Sequence, residues 1–431
     1  MQKYKNFFKK HKVVIIIFLI ALIAHSALFF VNFSNNEYDL ISTIRGDDGY
    51  FEISRNLVEG NGFTGEEIGP FLPNTLRPPI YPFFIAGILL LFGSYWAVLI
   101  IQLLISAVIP VLGMSIVKKI IPSSKIVISV GILLALEPYS TLFSSIFYTE
   151  TLFIFLFFLF LIFFFNYFKN PSYRNIIWAS FILGLATLVK PTVQFLPIVI
   201  PFFILWHFRK AISKRLILQI VMFTILFMVT ISPWLYRNYK EFGVVGMSAQ
   251  PAFNLYVYFT PSVLSIENNT SFSVELQEFV MKKGFDHRDI TPANSTYYRK
   301  ESFDVIKKYP LSIVKLISTS LITFFTHDGM LTVLQYAGYG HQASLSKPAL
   351  FLLLDSPIEF VDMLKDVIMS PMVLVLLVRI LWIIMTVLAI LGVIKAFVDK
   401  KLNILAKFAV FLVVYFAATT TINGLGVNAR F

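Results

Sequence analysis

The chain has 431 residues; 57% are hydrophobic and only 14% charged, against about 25% charged in an ordinary soluble domain. With 46 Phe, no Cys and a formal net charge of +12, a soluble globular protein, a disulfide scaffold and a cysteine nucleophile are excluded. An all-α polytopic membrane protein is the default, and the Lys/Arg excess is tested first as inner-loop charge rather than as a nucleic-acid footprint.

The N-terminus reads MQKYKNFFKKHK and runs into an apolar stretch at 13–31. That stretch is long for a signal-peptide core and no small-x-small cleavage site follows it, so it is expected to remain as an anchor. Further spans are expected at 96–117, 126–147, 150–168, 176–189, 192–208, 216–236, 371–394 and 403–422. The segment 80–92 is only thirteen residues long, which suits a re-entrant or interfacial helix. If it does not cross, the short loops 1–12, 118–125, 169–174, 209–215 and 395–401 share one side and hold seventeen Lys/Arg. The positive-inside bias makes that side cytoplasmic. Loops 33–78 and 137–149 and the Lys190 turn then lie outside.

Three regions are expected. Residues 1–236 form a transmembrane module with a first external loop at 33–78. Residues 237–370 form an external region, in which 311–327 either spans, re-enters or lies on the surface. Residues 371–431 form C-terminal transmembrane helices. The chain stops at Asn428-Ala429-Arg430-Phe431 directly after a span, an abrupt end. No repeat is evident. Asn268, Asn269 and Asn294 match glycosylation sequons, a pattern common by chance. The six His (11, 25, 207, 287, 327, 341) show no metal-binding spacing.

The first external loop carries IRGDDGYFEISRNLVEGNGF. The periodicity predicts a helix over 50–58, with Tyr50, Ile53 and Leu57 on one face and Asp48, Glu52, Arg55 and Glu59 on another. Gly60 and Gly62 end it. Asp47 and Asp48 therefore stand at the helix start. One explanation is an N-cap. The other is a general base for an acceptor hydroxyl, with repulsion between adjacent carboxylates raising one of the two pKa values. Further on, Arg77 sits before a Pro-stiffened return to the membrane. It is either a snorkelling or headgroup-contacting side chain or a phosphate clamp.

These residues resemble a family. GDDGYFEISRNLVEGNGF followed by LRPPIYPFFIAGILLLFG is similar to the first luminal loop of C-type (GT-C fold) membrane glycosyltransferases. The nearest branch is bacterial glycosyltransferase family 39, with the protein O-mannosyltransferases and aminoarabinose transferases. ALEPYSTLFSSIFYTETLFIFL, GLATLVKPTVQFLPIVI and SPWLYRNYKEFG resemble later motifs of that family in the same order. The resemblance covers about residues 13–250. It implies a GT-C-like helix bundle and transfer of a sugar from a polyprenyl-phosphate donor to a glycan, lipid or protein hydroxyl outside the cytoplasm. The family usually has a basic-aromatic-Pro motif after a late external turn and more helices beyond; this sequence stops at Asn428–Phe431, so that either it is truncated or those helices are missing.

Such chemistry needs one carboxylate as base, because the phosphate is already a good leaving group. The expected outcome is inversion through an oxocarbenium-like transition state. Asp47 is the expected base and Asp48 its support. Arg77, Lys190 and Arg237 are the expected cations around the departing phosphate, with Tyr50 and Glu150 in the same substrate-binding set. Lys190 and Arg237 also read as basic residues flanking spans. Glu150 opens an apolar helix, where the helix dipole would favour it. Its functional role would be to orient a cation, a metal or the acceptor. Glu137 lies in the same loop. His327-Asp328 reads mainly as a polar helix end. No His/Cys cluster argues for zinc; carboxylates leave a hard divalent cation as the one cofactor to consider. The Phe-rich run 153–165 reads as lipid-facing packing. The alternatives are a transporter or flippase for lipid-linked intermediates, which would place ionisable groups along a pathway within spans, and a ligase using a diphosphate donor.

Overall fold

The computed structural model describes residues 2–327, 329–339, 356–370, 372–398 and 402–421. Every regular element among them is helical. Among the described residues six helices are long and apolar enough to cross a membrane: His11–Asn35, Tyr95–Ile120, Glu150–Lys169, Lys214–Phe242, Val373–Val398 and Ile404–Thr421. Ser295–Ile306 and Pro310–Thr326, bent by 106°, form a broken or re-entrant pair that makes up to seven. An all-α, multi-pass membrane protein is the result, as backbone hydrogen bonding in lipid requires.

The chain divides into two compact units, Met1–Ser248 with Asn403–Ala406, and Ala249–Leu402 with Lys407–Phe431. In the first, the order is α1 (Gln2–Asn35), α2 (Leu40–Ile44), α3 (Tyr50–Glu59), α4 (Ile80–Phe92), α5 (Tyr95–Ile120), α6 (Ser124–Ala135), α7 (Pro138–Phe143), α8 (Glu150–Lys169), α9 (Tyr173–Val189), α10 (Leu196–His207) and α11 (Lys214–Phe242). Helix α8 is central, packed on α5 and α9, while α11 packs on α9 and α1 on α5. The Phe run of α8 is therefore partly core: Phe153, Phe157, Phe160, Phe164 and Phe165 are buried, while Phe155, Phe158 and Phe163 on its other side are only half-buried. The packing is close because small residues let backbones approach. A Cβ at Gly184 would come within 2.7 Å of Thr230 across the α9–α11 contact. Polar ties cross the apolar interior as well. Tyr167 donates to Gln219 Oε1 at 2.9 Å, and Ser180 donates to the Phe223 carbonyl.

The elements correct several expectations. The stretch 126–147 is not one helix. Helix α6 stops at Ala135, and Glu137 caps a new short helix by accepting from Tyr139 N and Ser140 N. Pro138 explains the break, since it cannot donate to a continuing ladder. The stretch 192–208 is likewise a 3-10 turn at Pro191–Val193 followed by the twelve-residue α10. By contrast, 80–92 is the helix Ile80–Phe92, a thirteen-residue element too short to span. Helix α11 runs six residues past the expected end at 236, to Phe242.

In the second unit Leu255, Phe259, Val263, Ile306 and Leu316 form a core. The sequon residues act there as local staples. Asn268 Nδ2 and Thr270 Oγ1 both donate to Glu275 Oε1, and Asn294 Nδ2 donates to the Asp289 carbonyl. His327 follows the helix Pro310–Thr326 and its Nδ1 accepts the Gly329 N–H; Asp328, His341 and the terminal residues 428–431 lie outside the described residues.

Candidate active site

The site begins with how the first loop is pinned. Asp39 caps α2 through the N–H groups of Ile41 and Ser42. At the end of α2 the Ile44 carbonyl accepts the Phe147 N–H at 2.7 Å. Gly46 follows at φ 64°, and a Cβ there would meet Ile146 Cγ2 at 3.1 Å and the Tyr148 ring at 3.2 Å. Only glycine serves such a left-handed, closely approached position. The Asp47 N–H then donates to Tyr148 Oη at 3.2 Å. The Asp pair is thus fastened from behind by the segment that leads into α8.

Neither Asp caps α3. The cap is Gly49 at φ 74°, with no side-chain hydrogen bond. The structural explanation for an Asp at 47 or 48 therefore does not apply. The two carboxylates also differ. Asp48 Oδ1 lies 3.2 Å from Arg77 Nη2, both side chains being largely buried. Asp47 is exposed, and its carboxylate has no ion pair or hydrogen bond among the described residues. Along the charged face of α3 the exposure also varies: Arg55 and Glu59 are 32% and 50% exposed. Glu52 is buried at 6% exposure and paired with Arg45, which also reaches Glu67.

Arg77 is held on three sides. Its guanidinium stands 5.4 Å from the Tyr50 ring centroid, a cation–π distance. Its N–H and that of Leu76 donate to Asn74 Oδ1, an Asx-type turn. The Asn74 carbonyl in turn accepts Arg237 Nη1 at 3.2 Å. Arg237 is packed against the rings of Trp234, Phe63 and Phe242 and bonds its neighbour Asn238. It braces the turn that presents Arg77 rather than touching the carboxylates itself.

A second ion pair lies at the start of α8. Lys190 Nζ is 3.2 Å from Glu150 Oε1, with side chains 14% and 7% exposed. Lys190 ends α9 and Glu150 opens α8, so antiparallel packing of the two helices brings together residues 40 apart. Tyr81, at the first turn of α4, is the neighbour common to both pairs. Its hydroxyl is pushed well above the usual phenol range, chiefly by burial, then by the charge of Glu150, with Tyr50 and Asp48 adding to it. Its ring meets Tyr50 edge-on at 5.2 Å.

Of the seven expected residues, Asp48, Arg77 and Tyr50 form one contact group and Glu150 and Lys190 a second, while Asp47, next to Asp48 in the chain, is anchored on Tyr148. Arg237 joins through Asn74. Sequence reasoning missed Tyr81, Tyr148, Asn74, Arg45 and Gln102. One signal was there to find: Gln102 is a polar residue in the middle of an expected span. Among the described residues, no three His, Asp or Glu side chains come together to hold a metal ion.

The fold and this grouping define a polytopic helical membrane protein whose ionisable groups collect at helix ends and one long loop. Residues 76–236 match the family described as dolichyl-phosphate-mannose-protein mannosyltransferase. Over that stretch the resemblance to glycosyltransferase family 39 is borne out, and the module is that of a membrane glycosyltransferase using a polyprenyl-phosphate sugar donor. The match contains Arg77, Glu150 and Lys190; Asp47, Asp48 and Tyr50 precede it and Arg237 is the residue after it. No curated protein matches the chain.

Proposed function

We propose that this protein transfers a hexose from a polyprenyl-phosphate carrier to a hydroxyl acceptor on the non-cytoplasmic side, with inversion at C1 and Asp47 as general base. Mannose, the sugar in the matched family's description, is the first donor to test. The acceptor O–H proton passes to Asp47 as the acceptor oxygen bonds C1. The C1–O bond to phosphate breaks, and its electron pair leaves with the polyprenyl phosphate. The observation that carries this reading is the unequal fate of the two carboxylates. Asp48 is engaged by Arg77, while Asp47 is exposed with its backbone anchored on Tyr148.

Negative charge grows on the phosphate as the bond breaks, so preorganised cations lower the barrier. An arriving phosphate would share Arg77 with Asp48, and Lys190 adds charge from the α9 end. Arg237 acts through the Asn74 turn. The prenyl chain needs an apolar bed. A crevice of about 550 Å³ between α10 and α11, lined by residues such as Ile198, Phe202, Phe227, Met228 and Ile231, is suited to it.

The test uses the full chain in nanodiscs, a radiolabelled polyprenyl-phosphate mannose and a membrane fraction as acceptor source. Asp47→Asn is expected to lower release of polyprenyl monophosphate at least about 100-fold, and Asp48→Asn to lower it less. Full activity in Asp47→Asn would overturn the base assignment. No transfer from this donor beside transfer from the matching polyprenyl-diphosphate sugar would overturn the donor class.

A further inference from the structure

Gln102 lies within α5, one of the candidate spans, and is 1% exposed. A primary amide in an apolar helix is costly unless its polar atoms are used. Here both ends are. Oε1 accepts the Tyr81 hydroxyl at 2.8 Å. Nε2 lies 2.8 Å from the Ile146 carbonyl, 3.1 Å from that of Ser144 and 3.3 Å from that of Phe143. Two N–H donors are thus shared among three carbonyls.

Each partner leads into the candidate site. Tyr81 stacks edge-on with Tyr50, whose ring faces Arg77, which holds Asp48. The three carbonyls belong to the turn that ends in Tyr148 and Glu150. Tyr148 anchors Asp47, and Glu150 pairs with Lys190. The turn joins α7, which ends at Phe143, to α8, which starts at Glu150; besides Gln102 it is held by the Phe147 N–H on the Ile44 carbonyl and by Thr151 Oγ1 on the Phe143 carbonyl.

We infer that Gln102 is a positioning residue that sets the base and the phosphate-facing cations in register, one amide end holding the Tyr81–Tyr50–Arg77 stack and the other the 143–148 turn behind Asp47. This rests on the reading of Asp47 as base, and the experiment separates the two. Donor kcat and KM are measured for the full chain in nanodiscs as Gln102→Leu, Tyr148→Phe, the double variant and Asp47→Asn. A sub-ångström shift of a reacting group costs rate more than binding, so kcat of Gln102→Leu is expected to fall at least about ten-fold with donor KM within about three-fold. Both substitutions act through one turn, so the double variant is expected to lose clearly less than the product of the two single losses. Wild-type kcat in Gln102→Leu, or losses that multiply, would overturn the inference. Should Gln102→Leu not fold, the same cycle is run with Gln102→Glu, which keeps an acceptor for Tyr81. Activity in Asp47→Asn overturns the base assignment; an inactive Asp47→Asn beside an unaffected Gln102→Leu overturns only the role of Gln102.

Discussion

Adjacent carboxylates at 47 and 48 look interchangeable in one dimension, yet the fold treats them differently. A left-handed glycine on each side turns the pair so that Asp48 meets Arg77 and Asp47 stays at the surface. The Glu150–Lys190 pair makes the same point for buried charge. Removing one partner of such a pair leaves the other without its countercharge in a poorly solvated place, at a cost of about 3 kcal/mol. Glu150→Gln and Lys190→Met are each expected to lower the thermal midpoint in nanodiscs. The double variant should recover most of that stability, because the two costs arise from one unpaired charge. Transfer should nevertheless stay low in the double variant; wild-type transfer there would make the pair a packing feature and nothing more. The sequence named both partners, but as separate candidates with separate bland explanations. Nothing local tells Lys190 that Glu150 is its neighbour.

At the level of elements, hydropathy and breakers located most helices to within a few residues. The helix over 50–58 was expected, with its end at Gly60, and Tyr50–Glu59 is observed with Gly60 as its C-cap. The failures have local causes. A continuous apolar run from 126 to 147 hides a Glu-Pro break, because apolar composition outweighs one proline in any window average. The Phe run of α8 reads as lipid-facing because a helix apolar all round shows no preferred face; packing against α5 and α9 decides which of its rings are core. The loop glycines give a graded test. Gly46→Ala adds a left-handed penalty of about 1–2 kcal/mol and pushes a methyl into Ile146 and Tyr148. At Gly49 the nearest atom is Glu52 Oε2 at 4.0 Å, so Gly49→Ala carries the backbone penalty alone. Transfer is therefore expected to fall further in Gly46→Ala than in Gly49→Ala. Equal rates in the two would mean that Tyr148 does not set the place of Asp47.

For the molecule as a whole, the distribution of Lys and Arg predicts which ends face the cytoplasm. The absence of Cys makes this simple to measure, since a single introduced thiol has no background. Glu67→Cys is expected to react with a membrane-impermeant maleimide on intact cells, and Lys214→Cys only after permeabilisation. The reverse pattern would place the Asp pair on the cytoplasmic side and end the proposed reaction as written.

What the chain determined unaided is its class: apolar segment length and the need to satisfy every backbone N–H and C=O in lipid leave only a helical, multi-pass solution. Motif order added the glycosyltransferase resemblance. The tertiary structure alone decided which candidates meet. Asp48 and Arg77 are 29 residues apart, Glu150 and Lys190 are 40, and Asp47 and Tyr148 are 101. Contacts over such separations follow from how helices pack and where turns return, and those are three-dimensional outcomes that no residue's own neighbourhood in the chain encodes.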